Sequence, residues 1–326
     1  MKLLTKARPN KEVLKDVKIS GESKKKIRKV ELYKKYFFEY FQKPSGKIYS
    51  STTFLDTNEV SFLVIVSSPL QVKALEEYFP IVGSFPYLGF FHKKSAKKYA
   101  KRKEDDGNVT WIRPVYAYST LNYFTDPILS SFFHYSDYKL AELIFHELLH
   151  TVLFINGEVD LSEALAQYFG RKMAIEYFKF EGEAKRKKLR ENRAKMEIQK
   201  LLVSLVADLN GIYKLKNVKK RADAEAVLDD FLKKRFYPSI ERKCSEYGIS
   251  GKKCFPLKRR WNNASLAAWL TYEGKVEKLA NLHKKLGVGM NGFLYHLEKK
   301  YDDFKKQDVS GTFENFLFQT AIAGTK

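Results

Sequence analysis

Hydrophobic and polar positions follow two different periods along the chain, and the period changes near residue 136. Before that point, β-branched and apolar runs at 58–68 and 109–118 are typical of strands, and Pro114 favours a sheet edge for the second run. From residue 137 onward, apolar positions recur every three to four residues, as they do in amphipathic helices. The pattern predicts an α+β fold, in which a mainly helical body carries a small N-terminal β-sheet.

Turn residues and periodicity predict the remaining elements. Ser20, Gly21 and Ser23 are expected to break the first helical stretch, and the glycines and proline of VGSFPYLGFF indicate an aromatic loop at 82–91. The expected helices are 9–42 with this break, 70–79, 92–105, 160–178, 181–208, 219–235, 259–272, 274–285 and 290–305.

One pentapeptide in the helical region, HELLH at 146–150, combines two histidines with a glutamate. Residues four apart share a helix face, so His146 and His150 point the same way and can bind one Zn²⁺. Glu147 lies one position round and can reach a water on that metal as a general base. The motif therefore predicts a catalytic zinc site, with the small sheet packed beside this helix.

The helix around the motif is expected to begin at Asp137 and to end at Asn156 and Gly157. Its apolar positions predict burial, and they are Leu140, Leu143, Ile144, Leu148, Val152 and Leu153. Histidines and a glutamate without partners would be costly inside a core, and a metal removes that cost. Two core histidines with local partners remain the alternative interpretation.

A catalytic zinc site needs a third protein ligand. The metzincin continuation would require Gly and His where the chain has Leu153 and Asn156, so that pattern is excluded. Glu163, with twelve residues between it and His150, would return beside the histidines on an antiparallel helix. We therefore expect one Zn²⁺ per chain, held by His146, His150 and Glu163.

Neighbouring polar residues leave other assignments open. Asp160 and Glu163 also have the spacing of a capping box, so Glu163 can be interpreted as part of a helix cap. Glu158 and Asp160 are alternative ligands, although a loop would hold them less rigidly. Gln167, one turn beyond Glu163, is a candidate supporting partner for a ligating histidine.

A resemblance to a known family is carried by two stretches, RPVYAYSTLNYFTDPILSSF and LAELIFHELLHTVLFINGEVDLSEALAQYFG. They resemble a bacterial family of predicted zinc aminopeptidases, and LLTKARPNKEVLKD, FPYLGFF and WNNASLAAWLTYEGKV have counterparts there as well. The resemblance implies a gluzincin-type metallopeptidase, with His146, His150 and Glu163 as ligands and Glu147 as base. Ser162 stands where the family has Asn, and it could orient the third ligand or cap the helix.

The resemblance also bears on location and substrate binding. Family members usually begin with an export or lipoprotein leader, so the resemblance implies a location in the cell envelope or periplasm. The first residues here show no apolar signal region, which favours the cytoplasm if the chain is complete. Peptidases of this kind bind substrate along a sheet edge, so strand 109–118 is the candidate edge. Tyr116 and Tyr118 on it could donate to an oxyanion, and core aromatics are the alternative interpretation.

The excess of basic residues raises the question of whether the protein binds an anionic partner. The chain has 60 basic and 38 acidic residues, a formal net charge of +22, but the basic clusters are scattered over several predicted helices. This distribution favours solvated basic faces over a specific nucleic-acid surface. Contact with an anionic membrane or cell-wall surface stays open. Cys244 and Cys254 are close enough in sequence for a disulfide, which the sequence leaves undecided.

The function that these patterns favour is a zinc-dependent peptidase acting on a peptide or protein substrate. Aminopeptidase and endopeptidase action both remain open. The alternatives are a zinc-containing binding or scaffolding protein of the cell envelope, and a basic protein that binds nucleic acid or an anionic surface. Residues 1–136 would supply the N-terminal helices, the sheet and the substrate-edge strand. Residues 137–326 would supply the helical zinc-site region, the two forming one continuous catalytic unit.

Overall fold

The structure, a computed structural model, describes residues 5–57, 59–79, 83–116, 125–180, 182–249, 251, 253–307 and 311–323. The helices are α1 (Asn10–Lys15), α2 (Gly21–Tyr40), α3 (Lys93–Asp105), α4 (Asp137–His150), α5 (Val159–Phe178), α6 (Gly182–Leu215), α7 (Arg221–Phe231), α8 (Tyr237–Glu246), α9 (Asn263–Leu286), α10 (Met290–Lys306) and α11 (Phe313–Ala323). The predicted α+β fold with a mainly helical body is confirmed.

The strands are short and, within the described residues, form three small sheets. They are β1 (Arg8–Pro9), β2 (Ser51–Thr53), β3 (Ser61–Ser67), β4 (Glu77–Phe79), β5 (Gly83–Phe85), β6 (Leu88–Phe90), β7 (Val109–Val115) and β8 (Ile128–Leu129). The strand orders are β1-β2-β8, β6-β3-β7 and β4-β5. Strand β7, which contains Pro114, lies at an end of its sheet, as the proline predicts.

The chain divides into two compact units, each assembled from separate segments. The first comprises residues 1–60, 115–179 and 275–326, and the second comprises 61–114 and 180–274. Helix α9 contributes its first half to the second unit and its second half to the first. Both units draw residues from each side of residue 136, and the single catalytic unit expected from the sequence stays a prediction.

The first unit is built around α4, which lies in the middle of its largest buried cluster. Helix α2 packs on one side of α4, where the rings of Phe37 and Phe145 stack with centroids 6.2 Å apart. Helix α5 packs on another side, and Phe169 of α5 stacks on Phe293 of α10 at 5.7 Å. Strand β8 contributes Ile128 to the same core. The motif helix is therefore held from several directions by apolar contacts, which fixes the positions of its polar side chains.

The second unit has two cores. In one, α3 covers the β6-β3-β7 sheet, and Tyr99 packs with Phe62 and Val64. The other joins α6, α7, α8 and the first part of α9, and the chain passes from α7 to α8 through a π-helical turn at 232–236. Cys244 and Cys254 form a disulfide within it, which settles the pairing left open by the sequence. No described helix has the length and apolar character needed to cross a membrane.

The predicted helix at 70–79 is wrong. This segment makes a turn and then strand β4, which pairs with β5. The hydroxyl of Ser67 donates to the carbonyl of Lys73 at 2.8 Å, and Ser67 forms an isolated bridge with Ala74. These contacts draw the chain back on itself, so its apolar residues cannot follow a helical period. The expected loop at 82–91 likewise contains β5 and β6, which pair with β4 and β3.

Several helix boundaries also differ from the prediction, and α6 continues to Leu215 instead of ending at residue 208. The motif helix α4 ends at His150 rather than at Asn156 and Gly157, and just beyond its end the hydroxyl of Thr151 donates to the carbonyl of Leu148 at 2.7 Å. The separate helices expected at 259–272 and 274–285 form the single helix α9. Helix α11 was not expected from the pattern, whereas the helices expected at 92–105 and 290–305 are confirmed as α3 and α10.

Candidate metal centre

Helices α4 and α5 present the candidate ligands to each other across a short reversal of the chain. His146 and His150 lie on the last turns of α4, and Glu163 lies in the second turn of α5. The helices run antiparallel: Glu163, near the start of α5, lies beside His150 at the end of α4, and Gly170, further along α5, lies beside Glu142, earlier in α4. This is the arrangement expected from the sequence, and it brings both histidines to one carboxylate.

The two distances from the carboxylate of Glu163 to the histidines match those between ligands of one zinc ion. Nε2 of His146 lies 3.4 Å from Oε2 of Glu163, and Nε2 of His150 lies 3.5 Å from Oε1. Ligands at about 2.0–2.2 Å from a tetrahedral zinc lie roughly 3.3–3.6 Å apart. At 3.4 and 3.5 Å both contacts are also at the long limit of an N–H···O hydrogen bond, whose usual distance is about 2.7–3.2 Å. Two imidazole nitrogens and a carboxylate thus form a possible site for one metal ion.

His146, His150 and Glu163 form a group of possible metal ligands in the described part of the chain. Each offers one ligand atom, and these atoms all lie within 4.8 Å of one another. The side chain of His150 is 2% exposed, while those of His146 and Glu163 are 22% and 30% exposed. The cluster is therefore closed on the His150 side and open on the other. A metal held here would keep a side that water and a substrate can reach, as catalytic zinc sites do.

The electrostatics of the cluster favour a negative Glu163 beside positive charge. Burial would raise the pKa of Glu163, but the hydrogen bonding and charge of His146 and His150 outweigh it and hold that pKa well below its usual range. Burial would lower the pKa of His146, and Glu163 reverses this and raises it. The carboxylate therefore attracts a proton or a cation to the imidazoles, and this is the charge pattern of a cation site.

Glu147 lies beside the cluster and is 8% exposed. Burial raises its pKa, and the positive charges of His146 and His150 oppose this effect. No ion pair involves Glu147 among the residues that the structure describes. A carboxylate with a raised pKa and no fixed cationic partner is suited to taking up and releasing a proton.

Tyr49 is a buried residue whose phenol is affected by the charge of Glu147, and no sequence pattern indicated it. Tyr49 is 1% exposed, and burial raises the pKa of its phenol well above the ordinary value, with further contributions from the charges of Glu147 and Asp126. Its backbone N–H donates to the carbonyl of Asp126 at 2.8 Å, and its φ of 57° is unusual for a side chain of this size. No local motif marks Tyr49, because its neighbours in space come from distant segments.

The alternative assignments around Glu163 fare differently. Helix α5 begins at Val159, with Glu158 as its N-cap residue, so the capping box of Asp160 and Glu163 is wrong. The carboxylate of Glu158 accepts backbone N–H groups from Phe313 and Glu314, which directs it away from a ligand role. In the described part of the chain, Glu163 is grouped with both histidines as a possible metal ligand, and Glu158 and Asp160 are not.

Ser162 and Gln167 lie on α5 near Glu163. Ser162 is fully buried, and its hydroxyl accepts the N–H of Ile155 at 2.9 Å and donates to the carbonyl of Glu158 at 3.1 Å. Its contacts therefore tie α5 to the segment before it. Gln167 lies one turn beyond Glu163, as the sequence requires, and its role as a supporting partner stays a prediction.

The two candidate oxyanion donors have different outcomes. Tyr116 directly follows β7 and is 39% exposed. Its backbone carbonyl accepts a hydrogen bond from the hydroxyl of Ser131 at 2.5 Å. Its exposure makes the core-aromatic interpretation wrong for this residue, and its oxyanion role stays a prediction. Tyr118 lies outside the described residues.

The fold and the site define a mainly helical α+β protein with a His–His–carboxylate cluster suited to a metal ion. The chain belongs to the family described as "Putative aminopeptidase", whose model matches residues 1–309. Comparison with curated proteins and with solved structures gives no match.

Proposed function

We propose that this protein is a zinc-dependent peptidase of the gluzincin type. The observation that carries the proposal is the placement of Glu163 at 3.4 and 3.5 Å from the two histidine nitrogens of HELLH. Membership of an aminopeptidase family supports peptide-bond hydrolysis as the reaction. His146, His150 and Glu163 would hold the metal, and Glu147 would serve as the general base.

The chain's own groups divide the work of hydrolysis between them. When bound, Zn²⁺ supplies a Lewis acid and lowers the pKa of a coordinated water to about 7. Glu147 takes a proton from the attacking water and later delivers it to the leaving amine. Its raised pKa suits both steps, since a group that is too acidic takes up a proton poorly. The open side at His146 and Glu163 is where the peptide would approach.

The proposed substrate is a peptide or a protein. The family description favours removal of N-terminal residues. An aminopeptidase holds the free amine of its substrate with an acidic group, and the sequence contains no GxMEN-like signal for one. The preference for aminopeptidase over endopeptidase action therefore rests on the family alone, and a library containing free and N-acetylated peptides would separate the two.

The variant Glu147→Gln tests the mechanism. The amide keeps the shape of the side chain and removes the base, so we expect turnover of a fluorogenic peptide library to fall by about 10²- to 10⁴-fold. Zinc content should stay at one ion per chain. Metal analysis and initial rates on the same preparations measure both quantities.

A matched control is available on the same helix. Asp137 is the first residue of α4 and its carboxylate pairs with Lys26 and Lys29 of α2, so Asp137→Asn makes the same carboxylate-to-amide change at the far end of the helix from the candidate ligands. We expect this variant to keep parent-like turnover. Equal rates for Glu147→Gln and the parent would remove Glu147 from the mechanism. A parent that binds zinc but cleaves no peptide in the library would favour a scaffolding protein instead.

A further inference from the structure

The segment 151–158, called the connector here, joins the helix of the two histidines to the helix of Glu163. It is short, and it reverses the chain between His150 and Glu163, whose facing atoms lie 3.5 Å apart. The two helices are packed together directly, and the connector fixes where α5 begins after α4. The groups that hold the connector are therefore candidates for setting the spacing of the three ligands.

The C-terminal hairpin of α10 and α11 holds the connector at two points. The backbone N–H of Asn156 donates to the hydroxyl of Tyr301 at 3.0 Å. The carboxylate of Glu158 accepts the N–H groups of Phe313 and Glu314, the latter at 3.0 Å. These contacts join parts of the chain separated by about 150 residues, and all of them lie within the first compact unit.

The Glu158 contact is an electrostatic anchor as well as a pair of hydrogen bonds. Phe313 and Glu314 open α11, and the first N–H groups of a helix have no partner within the helix and carry partial positive charge. The hydroxyl of Thr312 accepts the next N–H, that of Asn315, at 3.2 Å. Glu158 thus completes the N-terminal cap of α11 with a full negative charge.

The hairpin end is itself well packed at this point. The ring of Tyr301 on α10 contacts that of Phe313 on α11, with centroids 5.0 Å apart. Phe313 is fully buried. The hydroxyl of Tyr301 and the start of α11 therefore present fixed hydrogen-bonding groups to the connector.

We propose that Glu158 and Tyr301 are positioning residues that set the affinity of the metal site by fixing the connector. This inference rests on the proposed zinc site and adds a role for the C-terminal hairpin. Groups that orient ligands from outside typically change metal affinity by about 10- to 100-fold when they are altered. We expect Glu158→Gln and Tyr301→Phe to weaken zinc binding within that range while the chain stays folded.

The experiment measures zinc affinity by chelator competition, together with thermal melting of the metal-free and zinc-loaded full chain. Glu314→Gln is the matched control, because Glu314 opens the same helix but its carboxylate pairs with Lys275 and Lys278 on α9. This control loosens the hairpin away from the connector. We expect it to lower the melting temperature and to leave zinc affinity close to that of the parent.

Three results would overturn the inference, and they can be told apart. Parent-like zinc affinity in Glu158→Gln and Tyr301→Phe would show that the connector needs no anchor. An equal loss of affinity in Glu314→Gln would show that general destabilisation is the cause. A parent that binds no zinc would overturn the proposed function together with this inference. If Glu158→Gln does not fold, Tyr301→Phe decides alone, since it removes one hydroxyl.

Discussion

At the scale of single residues, the two histidines dominate the surroundings of Glu163. It receives two imidazoles within 3.5 Å, and their hydrogen bonding and charge overcome the effect of burial on its pKa. Because the structure removes the capping-box role, its environment is explained by the ligand role that we propose. A substitution at Glu163 should therefore act on the metal more than on the helix.

We expect Glu163→Gln to weaken zinc binding by more than the roughly 100-fold upper range of supporting residues. The amide keeps the volume but loses the negative charge that compensates the metal. Chelator competition gives the affinity, and melting with and without zinc shows whether the metal still stabilises the fold. Parent-like affinity with lower metal-free stability would return Glu163 to a structural role.

The residue scale is also where the sequence was most informative. His146, Glu147 and His150 share one short motif on one helix, so their geometry follows from local spacing alone. Glu163 required the additional assumption that the chain reverses after α4, and the structure has that reversal. Tyr49 could not be found in this way, because its link to Glu147 depends on the packing of distant segments.

At the scale of elements, the distance between α4 and α5 depends on a glycine. A Cβ built on Gly170 would lie 2.6 Å from the carbonyl oxygen of Glu142 and 3.2 Å from Cβ of His146. The first contact is with backbone, which cannot turn aside as a side chain can. The absence of a side chain at Gly170 therefore allows the close approach that brings Glu163 to the histidines.

We expect Gly170→Ala to lower the free energy of unfolding by about 1–3 kcal/mol, because overpacking forces the two helices apart. Zinc affinity should fall as well, since His146 lies at the contact. Gly211→Ala on α6 is the control, because its Cβ would meet nothing within 4 Å. That variant should gain about 0.5–1 kcal/mol from helix propensity. Denaturant titration of both variants tests the difference, and equal effects would contradict the packing argument.

Element boundaries were predicted well where local signals decide them and poorly where pairing decides them. Helix α3 begins and ends close to the predicted limits, because a basic helix and a following glycine are local features. The segment 70–79 became a turn and a strand because β5 was available as a partner for β4. The misplaced end of α4 has a different cause, since the chain leaves the helix to form the connector.

At the scale of the whole molecule, chain order and spatial grouping differ. The first unit combines the N-terminal helices, the motif helices and the C-terminal hairpin, while the second is formed by the remaining two segments. Hydrophobic periodicity describes faces but does not say which distant faces will meet. The anchor between Glu158 and α11 illustrates this, because neither partner carries a sequence signal for the other.

The two units also differ in what stabilises them. The second contains the disulfide between Cys244 and Cys254, both 1% exposed and 10 residues apart in sequence. Closing a loop of this length restricts the unfolded chain and is worth roughly 2–3 kcal/mol in the chain-entropy description. The first unit, which contains the three candidate ligands, has no cysteine and depends on its apolar core.

A double variant, Cys244→Ala with Cys254→Ala, should separate these two sources of stability. We expect the free energy of unfolding of the second unit to fall by roughly 2–3 kcal/mol. Zinc affinity should change far less than in Glu163→Gln, because the candidate ligands belong to the other unit. Denaturant unfolding followed by the tryptophans, Trp111, Trp261 and Trp269, reports on the second unit, since all of them lie there. Reducing the disulfide of the parent with a thiol under denaturing conditions should lower the free energy of unfolding by the same amount. A double variant that loses zinc affinity as strongly as Glu163→Gln would contradict the view that the disulfide stabilises the second unit without affecting the metal site.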